Sequence, residues 1–104
     1  MFNSQQIDDF FEAIADDPRI STTHISLYMA LLKLWNENGC QNPIRIFGRK
    51  VMPICKISGI ATYHKGMREL HDYGYIQYNP SYYRFVGSVV IMRPLKVQNQ
   101  KERT

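Results

Sequence analysis

Residues 57–76 read Ile57-Ser-Gly-Ile-Ala-Thr-Tyr-His-Lys-Gly-Met-Arg-Glu-Leu-His-Asp-Tyr-Gly-Tyr-Ile76: a turn, a helix, a glycine stop and the start of a strand. Ile60, Tyr63, Met67 and Leu70 recur at helical intervals, so they are expected to form one apolar stripe against a core. Ser58 stands where it can cap the helix start. Gly74 supplies the left-handed backbone that commonly ends a helix, and Tyr75-Ile76 then opens an extended element. The opposite face carries Ala61, Thr62, Lys65 and Arg68, with His64 at its margin. Short side chains near the start let backbone approach a groove floor, and the two cations further along can reach phosphates or guanine edges. A chain would build such a helix to lie in the major groove of DNA. Taken alone, the pattern fits equally well an amphipathic helix with an ordinary solvated face, so the rest of the chain has to separate the two.

Length and composition bound the answer. The 104 residues are close to the common domain size and do not divide easily into two cores. An apolar share of 44% suits a globular protein. No segment approaches the ~20 uninterrupted apolar residues that cross a bilayer. The N-terminus, with Asp8, Asp9 and Glu12 among its apolar residues, lacks the basic start and apolar run of a secretory signal, so a cytoplasmic location is expected. Cys40 and Cys55 are the only cysteines, and in a reducing compartment they read as small buried hydrophobes rather than a bridge.

Charge is unevenly spread. Residues 1–42 hold two cations against six acids, a formal −4, whereas residues 43–104 hold eleven cations against three acids, a formal +8. Such a dipole orients the C-terminal half toward a polyanion. The absence of regularly repeated stacking aromatics in that half favours duplex DNA over single strands.

The remaining elements follow from periodicity. Ser4 to Ala15 reads as a helix with Ile7, Phe10, Phe11 and Ile14 on one stripe, ended by Asp16-Asp17-Pro18. A second helix runs from Ser21–Thr23 to about Asn38, before Gly39. It is apolar on two sides, with Ile25, Tyr28, Met29, Leu32 and Trp35 on one and Leu27, Leu31 and Leu34 on the other. Only Ser26, Ala30, Lys33 and Glu37 look suited to water, which makes this helix the central pillar. Pro43 to Phe47 alternates as a strand, and Gly48 to Lys56 reads as a short helix with Val51, Ile54 and Cys55 inward. Pro53 requires that helix to start late, kink or lose a bond. Tyr75–Tyr78 and Ser88–Met92 are strand-like runs joined by residues 79–87, whose aromatics Tyr82, Tyr83 and Phe85 are expected to pack against the ribbon base, with Arg84 near the loop tip. Residues 1–94 are expected to form the domain, with 1–17 as an N-terminal helix extension and 95–104 as a flexible tail.

This order of elements, the Ile57–Ile76 stretch, and Tyr78-Asn-Pro-Ser-Tyr82 with Gly87-Ser-Val-Val90 resemble small stand-alone winged helix-turn-helix DNA-binding proteins of the transcriptional-regulator and mobile-element accessory type. The resemblance covers most of residues 20–92. It implies an α+β winged helix-turn-helix fold: a three-helix core, a small antiparallel sheet and an extra N-terminal helix. It also implies that the helix of about 59–73 lies in the major groove and the wing of about 79–87 touches flanking backbone or minor groove. Carried over by position, Ala61, Thr62, His64, Lys65 and Arg68 face the groove and Arg84 serves the wing. Arg49, Lys50, Lys56 and Ser58, in and after the preceding helix, complete the candidate contact set. Two departures from the pattern stand out: Gly48 where a stronger helix cap is expected, and Pro53 inside the first helix of the motif.

Other chemistries find little support. Cys40, Cys55, His64 and His71 match no common zinc spacing, and His64 and His71 lie seven residues apart where a helical ligand pair prefers three or four. Neither a phosphate-binding glycine loop nor a nucleophile signature is visible, so no enzyme activity, metal or cofactor is expected. Duplex DNA is the expected partner. A regulator, an accessory DNA-bending or excision factor, and a protein-interaction module without DNA binding all remain open. A homodimer through Ile7, Phe10, Phe11 and Ile14 competes with folding of the first helix onto the pillar.

Overall fold

A 16-residue helix, α2 (Thr22–Glu37), carries the core, because it is apolar on nearly every side: Leu27, Tyr28, Leu31 and Leu32 are at most 1% exposed. Around it the computed structural model, which describes residues 4–81, 83 and 85–95, arranges an α+β fold. Its other elements are α1 (Ser4–Ala15), β1 (Ile44–Ile46), α3 (Gly48–Cys55), α4 (Ile60–Asp72), β2 (Ile76–Asn79) and β3 (Ser88–Met92). Helices α3 and α4 both pack on α2. Two residues expected to face water do not: Ala30 is buried under its neighbours, and Ser26 is half-buried, its hydroxyl donating to the Cys55 carbonyl of α3. The water-facing strip of α2 therefore shrinks to its C-terminal half, where Lys33 and Glu37 pair one turn apart.

The sheet is antiparallel with strand order β1-β3-β2. Val90 lies between Ile44 and Tyr78, and all three are buried, which satisfies the alternation of both edge strands. Beyond β1, the Asn42 side chain continues the ladder: its Nδ2 donates to the Met92 carbonyl at 3.0 Å, and its Oδ1 accepts the Met92 N–H at 2.9 Å.

Helix α1 folds onto α2. Phe10 is fully buried and stacks on Tyr28 with centroids 4.0 Å apart and an interplanar angle of 3°. Gln6 Nε2 donates both to the Tyr28 hydroxyl at 2.8 Å and to the Arg93 carbonyl at 2.9 Å, closing α1 against the end of β3. Burial pushes the Tyr28 phenol up to about 12, so the hydroxyl stays protonated. Phe10 thus lies inside the chain, out of reach of a second copy, Ile7 and Ile14 are half-buried, and Phe11 remains 45% exposed.

In α3, Val51 and Cys55 face inward as expected, but Ile54 is exposed. Burial pushes the Cys55 thiol up, which keeps it inert. Pro53 sits within the helix, which does without the bond its missing N–H cannot make and reaches Cys55 all the same. Gly48 is explained by packing as well as by its place at the helix start: a Cβ there would stand 3.2 Å from Cε2 of the Tyr63 ring, so a larger residue would press on α4's buried tyrosine where it lies against the start of α3.

Leu95 is also buried in the core, so the domain extends at least one residue past the expected boundary at 94. The remainder of the tail, 96–104, lies outside the described residues. Among the described residues no helix is long and apolar enough to cross a membrane.

Candidate functional site

Helix α4 begins at Ile60, and its cap position is taken by Gly59, in extended conformation and without a side chain to bond, rather than by Ser58. It ends where expected: Tyr75 N–H donates to the Leu70 carbonyl at 2.9 Å and Gly74 N–H to the His71 carbonyl at 3.1 Å, a closure that needs the positive φ of +93° which Gly74 supplies. Tyr63, Met67 and Leu70 are buried. The fourth stripe member is a correction: Ile60, at the first position of α4 and the edge of the stripe, is 60% exposed, whereas Tyr63 in the same turn is buried. Gly66 joins the buried face instead. A Cβ on it would come within 2.4 Å of Leu27 Cδ1, so any side chain at this crossing of α4 and α2 requires the fully buried Leu27 to shift.

A polar tie fixes the same crossing. His24 Nδ1 accepts the Ser21 N–H at 2.9 Å, which places the ring proton on Nε2, and Nε2 donates to Glu69 Oε1 at 2.8 Å. Nearby, His71 Nδ1 accepts the Tyr78 N–H at 2.9 Å and so couples the end of α4 to β2. Helix α4 is held by α2 on one flank and by the sheet on the other. Its remaining face is open.

Arg49, Lys50, Lys56, Ser58, Ala61, Thr62, His64, Lys65 and Arg68 are all exposed, and Arg84 lies outside the described residues. Three surface hollows group most of them. Arg49, Lys56 and Ser58 share a shallow depression of about 540 Å³ with Met52, Pro53 and Ile57. Thr62 and Lys65 border a smaller one of about 130 Å³ between α4 and α2. His64 and Arg68 line a cleft of about 390 Å³ against Tyr78, Pro80 and Ser81. Lys50 and Ala61 line none of these three. Among the described residues no carboxylate pairs with Lys50, Lys56, Lys65 or Arg68. Of the two acids of α4, Glu69 is occupied by His24, while Asp72 is exposed one turn beyond Arg68. Lys56 adopts the left-handed conformation, φ +62°, that closes α3 through the 3.1 Å bond from Ile57 N–H to the Met52 carbonyl. A charged side chain thus occupies the turn position that glycine usually takes, and the turn itself projects a cation.

The β2–β3 loop corrects another expectation. Tyr83 and Phe85 are 76% and 83% exposed rather than packed on the ribbon base, and Tyr82 lies outside the described residues. The loop is braced by its backbone and by a residue the site reading passed over: Arg45 Nη1 donates to the Val86 carbonyl at 2.8 Å. The outward register of Arg45 between Ile44 and Ile46 was the available signal. Gly87, at φ +80°, closes the loop where a Cβ would lie 2.9 Å from the Ile46 carbonyl oxygen. Among the described residues no group of three or more His, Cys, Asp or Glu side chains is placed to hold a metal ion.

Chemically this face is a helix with Ile60, Ala61 and Thr62 exposed at its start and Lys65 and Arg68 at its middle, flanked by a hollow where Lys65 stands with the Glu69 carboxylate and by a cleft that His64 and Arg68 line, an arrangement that can meet an extended polyanion. No protein-family model, curated protein or solved structure matches the chain.

Proposed function

We propose that the chain is a winged helix-turn-helix protein that binds duplex DNA sequence-specifically and acts as a transcriptional regulator, with α4 entering the major groove and the β2–β3 loop lying over flanking backbone. The observation that carries this reading is the shared exposure of Ala61, Thr62, Lys65 and Arg68 on a helix whose opposite face is locked into the core. A helix about 10–12 Å across with its side chains fits a groove about 12 Å wide, and the short Ala61 and Thr62 let its backbone approach the base edges. Lys65 and Arg68 then reach base edges or phosphates, while Arg49, Lys50 and Lys56 meet the backbone beside the groove. The excess of cations in residues 43–104 supplies the long-range attraction.

Selection of bound fragments from a random duplex library, followed by mobility shifts on the enriched sequence, tests the reading. Lys65→Ala combined with Arg68→Ala is expected to weaken binding at least about thirtyfold while leaving the circular dichroism unchanged. A double variant that binds like the wild type would show that α4 is not the reading element. The same interface serves a DNA-bending accessory factor of a mobile element, and the bend angle from circularly permuted probes separates that role from simple operator binding.

A second reading, a winged-helix module for a protein partner, draws on the 76% exposure of Tyr83. Retention of one stoichiometric protein together with no shift on any duplex would favour it.

A further inference from the structure

Ile60 is the one residue of the α4 apolar stripe that the fold leaves in water, at 60% exposure. Single exposed apolar side chains are ordinary, so the exposure alone carries little. Its position carries more. Ile60, His64 and Arg68 are spaced four residues apart and therefore form one row along the helix, beside the parallel row begun by Ala61 and Lys65. Ile60 thus stands on the flank of the exposed face at the N-terminal end of α4, one residue before Ala61 and on the row that runs on to His64 and Arg68, with the cationic turn residue Lys56 four residues before it.

Along its row the apolar surface ends at Ile60, because the next positions are His64 and Arg68. The depression that Met52, Pro53 and Ile57 line before α4 is apolar as well, but Arg49 and Lys56 line it with cations. Charge complementarity with the surrounding cations selects a polyanion. The major groove of duplex DNA displays one apolar group, the C5-methyl of thymine.

We propose that Ile60, seconded by the methyl of Ala61, is a specificity-determining residue that packs on thymine methyl groups, so that the preferred site of this protein contains thymine under the start of α4. The inference rests on the duplex-binding reading and deepens it from a class of ligand to a base. No bond is made or broken: apolar surface on both partners leaves water, and each methyl fully covered is worth roughly a fourfold change in affinity.

Uracil pairs as thymine does and lacks only the methyl, so it isolates the contact without any change to the protein. The selected duplex is prepared with uracil at each thymine in turn, and dissociation constants are measured for wild type and for Ile60→Ala. At one or two adjacent positions uracil is expected to weaken wild-type binding roughly fourfold, and Ile60→Ala is expected to bind the thymine and uracil duplexes with nearly equal affinity. A selected motif without thymine, wild-type affinity insensitive to uracil at every position, or an Ile60→Ala variant with the same sensitivity as wild type would each overturn the assignment of Ile60 and leave duplex binding standing. Failure of the wild type to enrich or shift any duplex would overturn both.

Discussion

His24 on α2 and Glu69 on α4 are joined by a 2.8 Å hydrogen bond across 45 residues of sequence, and the imidazole is 5% exposed. Glu69→Ala leaves the buried Nε2–H without an acceptor, which costs about 1–2 kcal/mol, whereas Glu69→Gln keeps an acceptor oxygen and most of the stability. Urea unfolding of the three proteins checks the order: wild type, then glutamine, then alanine. Equal stability of the two variants would mean that the tie is not the relevant term.

Gly66 sets the distance at the same crossing. Replacing it with valine adds branched carbon where even a Cβ would stand 2.4 Å from the fully buried Leu27. Helix propensity favours valine over glycine by less than about 1 kcal/mol, while overpacking costs about 1–3 kcal/mol and each added methyl increases it. A net loss near 2 kcal/mol is expected in denaturant unfolding, and a more stable valine variant would show that α4 rides higher on α2 than described.

These two contacts show where sequence reasoning reached its limit. Periodicity placed α2 and α4 and identified Tyr63, Met67 and Leu70 as inward, because burial of a stripe is a local property of spacing. It assigned Ile60 inward for the same reason and failed, since burial of the first residue of a helix depends on whether another element reaches past the helix end. Gly48 reads as a poor cap and Gly66 falls outside the apolar pattern altogether, yet each marks a close approach, to Tyr63 and Leu27 respectively, that exists only once the helices are assembled. The candidate basic face was legible because exposed cations need no partner to be seen. The bracing role of Arg45 was not, because it depends on where residue 86 returns in space.

Phe10 and Phe11 separate two uses of α1. Phe10→Ala removes a fully buried ring stacked on Tyr28 and should cost about 3–5 kcal/mol, while Phe11→Ala, at a residue 45% exposed, should change stability by less than about 0.5 kcal/mol. Sedimentation equilibrium of wild type and Phe11→Ala over a range of concentrations then asks whether the exposed ring joins two copies. A concentration-dependent mass abolished by Phe11→Ala would establish a dimer through this face.

Asp17 accepts hydrogen bonds from Arg19 Nε at 2.8 Å and from the Tyr75 hydroxyl at 2.7 Å, tying the α1–α2 loop to the start of the sheet. The Arg19 guanidinium, followed by the Tyr75 hydroxyl, holds the carboxyl well below the usual carboxylate range despite partial burial. A depressed folded-state value means that the unfolded chain takes up the proton first as pH falls. The stabilisation is therefore fully present above about pH 4 and is lost progressively below it. Thermal unfolding should show the gap between wild type and Asp17→Asn closing from pH 5 to pH 2, and a gap that stays constant over that range would exclude the ion pair as its source.

Salt dependence distinguishes what each cation of the proposed interface touches. A phosphate contact releases a counterion, so removing one lowers the magnitude of the slope of log affinity against log salt by about 0.9 and weakens all sequences alike. A base contact leaves the slope nearly unchanged and costs about 1–3 kcal/mol on the preferred sequence alone. Lys56, exposed at the turn, and Lys50, exposed on α3, are placed for backbone, and Arg68, in the row that Ile60 heads, for a base edge. Lys50→Ala and Lys56→Ala are accordingly expected to flatten the slope, and Arg68→Ala to narrow the gap between selected and scrambled duplexes at constant slope. Fluorescence anisotropy at four salt concentrations resolves the two behaviours. If Arg68→Ala flattened the slope while keeping the preference, α4 would be lying along the backbone rather than in the groove.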